Sequence, residues 1–231
     1  MTDTSEGQPA RTGETIPRPR IQTLSDLIFG LALSIGALSL LGGRPSSLAE
    51  LAGSLLGFAW AFVILALVWV RYTRIMSVLP IETGTLVSVD LLLLFLVSVE
   101  PYLYNLITNS FTLPGASLDS GITTSLYAAD MAGIFLVMAY FLHELTKEEK
   151  KLLPGRLLRS YRLMTYGTIA TAALFLASIL PIFWSVSVLG IQTRFIAWMG
   201  TFVVMVIRRS VEGRAKDPTL DQLVAASRAA N

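Results

Sequence analysis

Four carboxylates stand inside or at the edge of apolar runs: Asp26, Asp90, Glu100 and Asp130. A carboxylate in hydrocarbon is costly, so each must pair with a cation, accept hydrogen bonds, or take part in moving an ion or a proton. Asp26 follows Arg20 and Ser25, on the side that also carries Arg71 and Arg74. A helix-start cap is its plainer reading, since Ser and Asp favour first turns. Asp90 lies about one turn into a later apolar run, within reach of Arg71, Arg74 or the Asp26 cluster, and suits a structural or gating polar network. Glu100 and Asp119 lie toward the opposite side, where acidic groups concentrate cations at a pore mouth; Glu100 equally suits the headgroup region. Asp130, among Ala128, Ala129, Ala132 and Gly133, reads either as an ion- or proton-pathway group or as the structural partner of Arg194. The chain has no cysteine and one histidine. That residue, His143, lies beside Glu144 and reads as a solvated helix-end group rather than a pH sensor. With no nucleophile–base pair, no metal cluster and no cofactor motif, an enzyme is the weakest assignment.

Composition identifies the elements that must position these groups. Of 231 residues, 53% are hydrophobic and only 15% charged, with a mean hydropathy of +0.63. Soluble proteins carry about 25% charged residues, and a chain of this length cannot hide so much apolar surface from water. A soluble globular domain is excluded, and a formal charge of +2 is too small for nucleic-acid binding. A helix crosses hydrocarbon with about 20 apolar residues. Residues 51–70 are free of charge between Glu50 and Arg71, and 27–43 precede them in a helix that starts near Arg20. A third span covers about 86–107 and a fourth about 122–142. The uncharged stretch 163–193 is too long for one span and is broken by Pro181 and Gly190. It gives a fifth helix to about Leu180 and the start of a sixth that runs to Ile207. The expectation is an all-α membrane protein with six transmembrane helices over residues 20–208. A disordered polar tail at 1–19 and a second tail at 209–231 flank it. Residues 1–19 hold no signal-peptide core or cleavage site, so the first span is retained.

Orientation follows from the basic residues, which stay on the cytoplasmic side of helix ends. With both termini inside, sixteen of the 18 Lys and Arg residues are cytoplasmic and only Arg44 and Arg194 lie outside; the reverse topology inverts that count. Both termini are expected in the cytoplasm, as an even number of spans requires. Lys147 to Lys151 then serve as a topology anchor against anionic lipid.

Within the first span, Leu31, Ser34, Ile35 and Leu38 fall on one helical stripe. The adjacent stripe, Ala32, Gly36, Ser39 and Gly43, is small, the type that lets helix backbones approach closely. Gly53, Gly57 and Ala61 continue that theme in the second span. On periodicity alone the leucine stripe is ordinary lipid- or core-facing surface.

Arg20-x-x-x-Leu24-Ser25-Asp26 resembles the Arg-x-x-x-Phe-Ser-Asp signature of the transmembrane protein 175 family of potassium channels, with Leu in place of Phe. Trp69-Val-Arg71-Tyr72-Thr73, Asp90-Leu-Leu-Leu-Leu-Phe95 and Glu100-Pro101 follow in the order of the family's second- and third-span motifs. Here the family's histidine pair is missing and Asp90 stands where Asn is expected, so those polar contacts must differ. The resemblance implies a homotetrameric potassium-permeable channel without cofactor, in the single-repeat prokaryotic form and in the cell membrane, with potassium ions and the lipid bilayer as its partners. The family lacks the Thr-Val-Gly-Tyr-Gly filter loop, and so does this sequence. The first helix of each subunit would line the pore. Its constriction would be Leu31, with Ile35 and Leu38 as further apolar rings that gate by dewetting, and Ser34 as a ring of hydroxyls for selectivity. The alternative from another class is a proton-coupled secondary transporter that uses Asp130 and Asp90. Such transporters show repeated halves and broken midplane helices, and the one candidate break, Pro181, reads as a loop.

Overall fold

The computed structural model describes residues 18–38, 40, 47–79, 83–112, 120–147, 155–188 and 191–214. Asp119, Ser39, Gly43 and most of both tails lie outside them. Six long helices account for nearly all of the described chain: α1 (Arg18–Leu38), α2 (Leu48–Met76), α3 (Gly84–Thr112), α4 (Ser120–Thr146), α5 (Gly155–Ala177) and α7 (Thr193–Arg214). A single-turn helix, α6 (Ile182–Ser185), and a two-stranded hairpin, β1 (Ser187–Val188) and β2 (Ile191–Gln192), separate α5 from α7.

Local chemistry fixes several of these ends. Ser47 caps α2 by accepting a hydrogen bond from the Glu50 backbone N–H at 3.2 Å. Glu50 in the first turn and Arg74 in the last both oppose the helix dipole. At 29 residues α2 is roughly 44 Å long, more than the about 30 Å of a bilayer core. Pro101 does not close α3, which continues for more than two turns beyond it.

Among the described residues, three helices are long and apolar enough to cross a membrane: α2 from Glu50, α3 to Thr108 and α4 from Gly121. Gln22–Leu38 and Thr193–Val204 are shorter apolar helices. The six expected segments are therefore helical wherever they are described, and one of them, α5, opens on polar turns. In α5 those turns hold Arg159 and Arg162. The fifth helix stops at Ala177 rather than near Leu180, and the sixth starts only at Thr193. The hairpin that intervenes was not expected. Thr193 closes it, its backbone N–H and its Oγ1 both donating to the Val186 carbonyl, at 3.1 and 2.7 Å.

The core centres on α4, which packs most extensively on α5 and α3. Its Tyr127, Met131, Ile134, Met138, Phe141 and Leu142 are all fully buried, as suits a helix apolar on every face. α1 leans on α3 and α2, and α5 carries α7. Thr165, Thr168 and Thr171 of α5 donate to carbonyls one turn back, so their hydroxyls need no water.

Candidate functional site

The face of α1 that carries Leu24, Leu27, Leu31, Ile35 and Leu38 has no described protein against it. Leu31 is 52% exposed and Leu38 60%. Leu24, Leu31 and Leu38 recur every seven residues, with Leu27 and Ser34 between them, which is the spacing of a seam between parallel helices. The opposite face is inside: Phe29 and Ala32 are buried, and Gly36 lies against the Phe58 ring of α2. Within the chain, then, the leucine stripe is not core. Ser34 shares the exposed face, and its hydroxyl donates to the Gly30 carbonyl at 2.8 Å. That bond uses the hydroxyl proton and leaves oxygen lone pairs pointing away from the helix.

What fixes α1 in this pose is a polar chain at its N-terminal end. Ser25 Oγ lies 2.7 Å from Tyr72 Oη, and Tyr72 in turn donates to Asp90 Oδ1 at 2.8 Å. Ser25, Tyr72 and Asp90 are all buried, so three helices are tied together through one phenol. The Phe29 ring rests on Tyr72 with centroids 5.5 Å apart. Beside it, Trp69 Nε1 donates to Asp26 Oδ1 at 3.0 Å. Asp26 thus bonds a tryptophan one helix away. Asp90 receives a tyrosine hydroxyl rather than Arg71 or Arg74, and through Tyr72 it is linked to Ser25 in the Asp26 cluster, the third partner the sequence suggested. Arg71 instead lines a small cavity with Phe135, Thr171 and Thr201 on the far side of α2, and Arg74 is exposed. Arg20 lies in the first turn of α1, and its side chain is not among the described ones. The roles of Trp69 and Tyr72 escaped the sequence reading. The available signal was their i, i+3 spacing on α2, which aims both at the same face.

Glu100 and Asp130 are buried mid-helix on α3 and α4. Tyr127, one turn before Asp130, donates to Glu100 Oε1 at 3.2 Å, and the two carboxyls interact electrostatically. Asp130 is not ion-paired with Arg194: no guanidinium acts on it, and its Oδ2 accepts no hydrogen bond. Arg194 is buried at the start of α7, four residues before Trp198, whose ring meets that of Tyr127. Among the described residues no three His, Asp or Glu side chains converge to hold a metal ion. An apolar groove of about 950 Å³ opens between α2 and α7, walled by Trp60, Phe195 and Phe202.

Residues 20–101 match the family model described as TMEM175, the endosomal/lysosomal potassium channel. That stretch covers α1, α2 and the first half of α3, and so holds the exposed leucine face and the whole Ser25–Tyr72–Asp90 chain. The chain resembles the TMEM175 channels in sequence and in fold. Two solved structures are similar along most of its length. One is a lysosomal potassium-selective channel TMEM175 homolog from Chamaesiphon minutus, 21% identical, with a TM-score of 0.54, covering 87% of this chain and 98% of that one. The other is a single-substitution variant of the potassium channel MtTMEM175 in complex with a nanobody fusion, 18% identical, with a TM-score of 0.56, covering 90% and 97%. Among curated proteins none matches.

Proposed function

We propose that this chain is the subunit of a potassium-permeable cation channel in which four copies of α1 surround a central pore. The observation that carries the reading is the two-sidedness of α1. Its inner face is tied to α2 and α3 by hydrogen bonds, and its outer face is a seven-residue apolar repeat left bare. Around a four-fold axis, Leu31, Ile35 and Leu38 form stacked apolar rings that close the pore to water. Ser34 sets four oxygens between them, with lone pairs free to replace part of a potassium ion's hydration. The TMEM175 resemblance supports potassium as the permeant ion and calls for no cofactor. Both termini lie in the cytoplasm in this reading, which the distribution of basic residues supports, and the single-repeat form of the resemblance supports a prokaryotic plasma membrane.

The test is ion flux into liposomes carrying the purified chain, driven by a potassium gradient and repeated with sodium. Wild type is expected to favour potassium, and Leu31→Ser to raise flux several-fold or to narrow the potassium–sodium difference. Unchanged flux in Leu31→Ser contradicts the constriction. A proton-coupled transporter remains the second reading because Asp130 carries a buried carboxyl oxygen without a partner. Flux that needs a proton gradient and disappears in Asp130→Asn selects it.

A further inference from the structure

Away from α1's bare face, the middle of the bundle holds two carboxyls that nothing in a potassium pore employs. Glu100 on α3 is 2% exposed and Asp130 on α4 is 7% exposed. Tyr127 brings them together: its hydroxyl donates to Glu100 Oε1, and Asp130 follows it by one turn on the same helix face. Pro101 adds an acceptor to this turn of α3, because it has no N–H to give to the Val97 carbonyl. The site is therefore rich in acceptors and poor in donors. Asp130 Oδ2 is buried and accepts nothing.

The surroundings supply no compensating charge among the described residues. Around Glu100, α1 and α2 present Ala32, Leu33, Gly36, Phe58, Phe62 and other apolar groups. The remaining titratable groups nearby are the phenols of Tyr104 and Tyr127. Arg194 on α7 is buried, yet no guanidinium acts on either carboxyl. Two buried carboxyl groups with no cation beside them are not a stable arrangement. A single positive charge shared between them relieves the repulsion and part of the burial cost.

We propose that Glu100 and Asp130 form a cation-binding site off the pore axis, which takes one monovalent cation, a proton or an alkali metal ion, between α3 and α4. Occupation places one positive charge between the two carboxyl groups, which reduces their mutual repulsion and draws the two helices together. The site is independent of how ions cross the membrane, so its test needs no flux.

The experiment is the thermal unfolding midpoint of the full purified chain in detergent, in two arms. One varies pH in a choline salt without alkali metal, and the other varies potassium or sodium at fixed pH. A ligand that binds the folded state alone raises the midpoint in a saturable way. In wild type a rise of several degrees is expected in the pH arm if the ligand is a proton, and in the salt arm if it is an alkali ion. Glu100→Gln and Asp130→Asn, which keep shape and hydrogen-bonding capacity, are each expected to abolish that rise. The double variant should lose no more than either single one, because one ligand is shared. Tyr127→Phe should keep the rise and move its midpoint. Should one amide variant fail to fold, the other carries the same test. The proposal is overturned if the amide variants respond as wild type does in both arms, or if wild type responds in neither.

Discussion

Tyr72 holds three helices with one oxygen. Its hydroxyl meets Ser25 of α1 and donates to Asp90 of α3, all of it away from water. Removing one partner from a buried bond leaves the other unsatisfied, at a cost of about 1–3 kcal/mol. Tyr72→Phe should therefore lower stability by about that amount and lower the unfolding midpoint in detergent. Ser25→Ala should cost less, because Tyr72 keeps Asp90 as its acceptor. Equal losses in the two variants would mean that the Tyr72–Asp90 bond is not the stronger link. Ser25, Asp26 and Asp90 could be picked from the sequence because polar groups in an apolar run stand out. Trp69 and Tyr72 stand in the motif after the second span, but that they bond Asp26 and Asp90 was not legible, since aromatics are common near membrane interfaces. Which donor finds Asp90 depends on how α2 is rotated. That rotation turns Arg71 toward Phe135 and Thr171 and gives the inner face to Tyr72.

At the scale of elements, close packing between α3 and α4 brings the helices that carry Glu100 and Asp130 together. A methyl group built on Gly133 would lie 3.1 Å from Leu96 Cδ1. Gly133→Ala is thus tight but tolerable, whereas Gly133→Leu should drive the helices apart and cost about 1–3 kcal/mol or more by overpacking. A lowered unfolding midpoint for Leu and a near-native one for Ala would show it. Gly57 is more constrained, because a side chain there runs into the Tyr104 hydroxyl. The helices themselves were legible from runs of apolar residues, and α2, α3 and α4 start within a turn of the expected positions. Each runs four to six residues past its expected end, because a charge such as Arg71 ends the apolar run and not the helix. The stretch after α5 was misjudged because its apolar residues continue through a turn, a short helix and a hairpin. Hydropathy does not distinguish those from helix. That α4 is the central helix was not legible either: its sequence is no more apolar than that of α2, and only packing decides which of them is enclosed.

At the scale of the whole molecule, three helices meet the length and hydropathy of a span among the described residues, and α1 and α7 contribute shorter apolar stretches there. α1 also bares an apolar repeat suited to its own copies. Such a subunit is expected to be incomplete alone. Cross-linking in mild detergent should trap species up to a tetramer, and a ladder that ends at the dimer would contradict the pore. The overall helix plan was legible because each span is encoded locally. The assembly was not, since a leucine stripe looks the same whether it faces lipid or an axis.

Cysteine is absent from the sequence, so a single introduced thiol reports its own surroundings without interference. The most direct test puts that thiol at Leu31 and measures potassium flux in liposomes before and after a charged, water-soluble thiol reagent. Leu92→Cys, on the exposed side of α3, is the control. If α1 lines the pore, the reagent blocks flux through Leu31→Cys and leaves Leu92→Cys conducting. If both variants conduct unchanged after treatment, Leu31 faces lipid and the pore runs elsewhere.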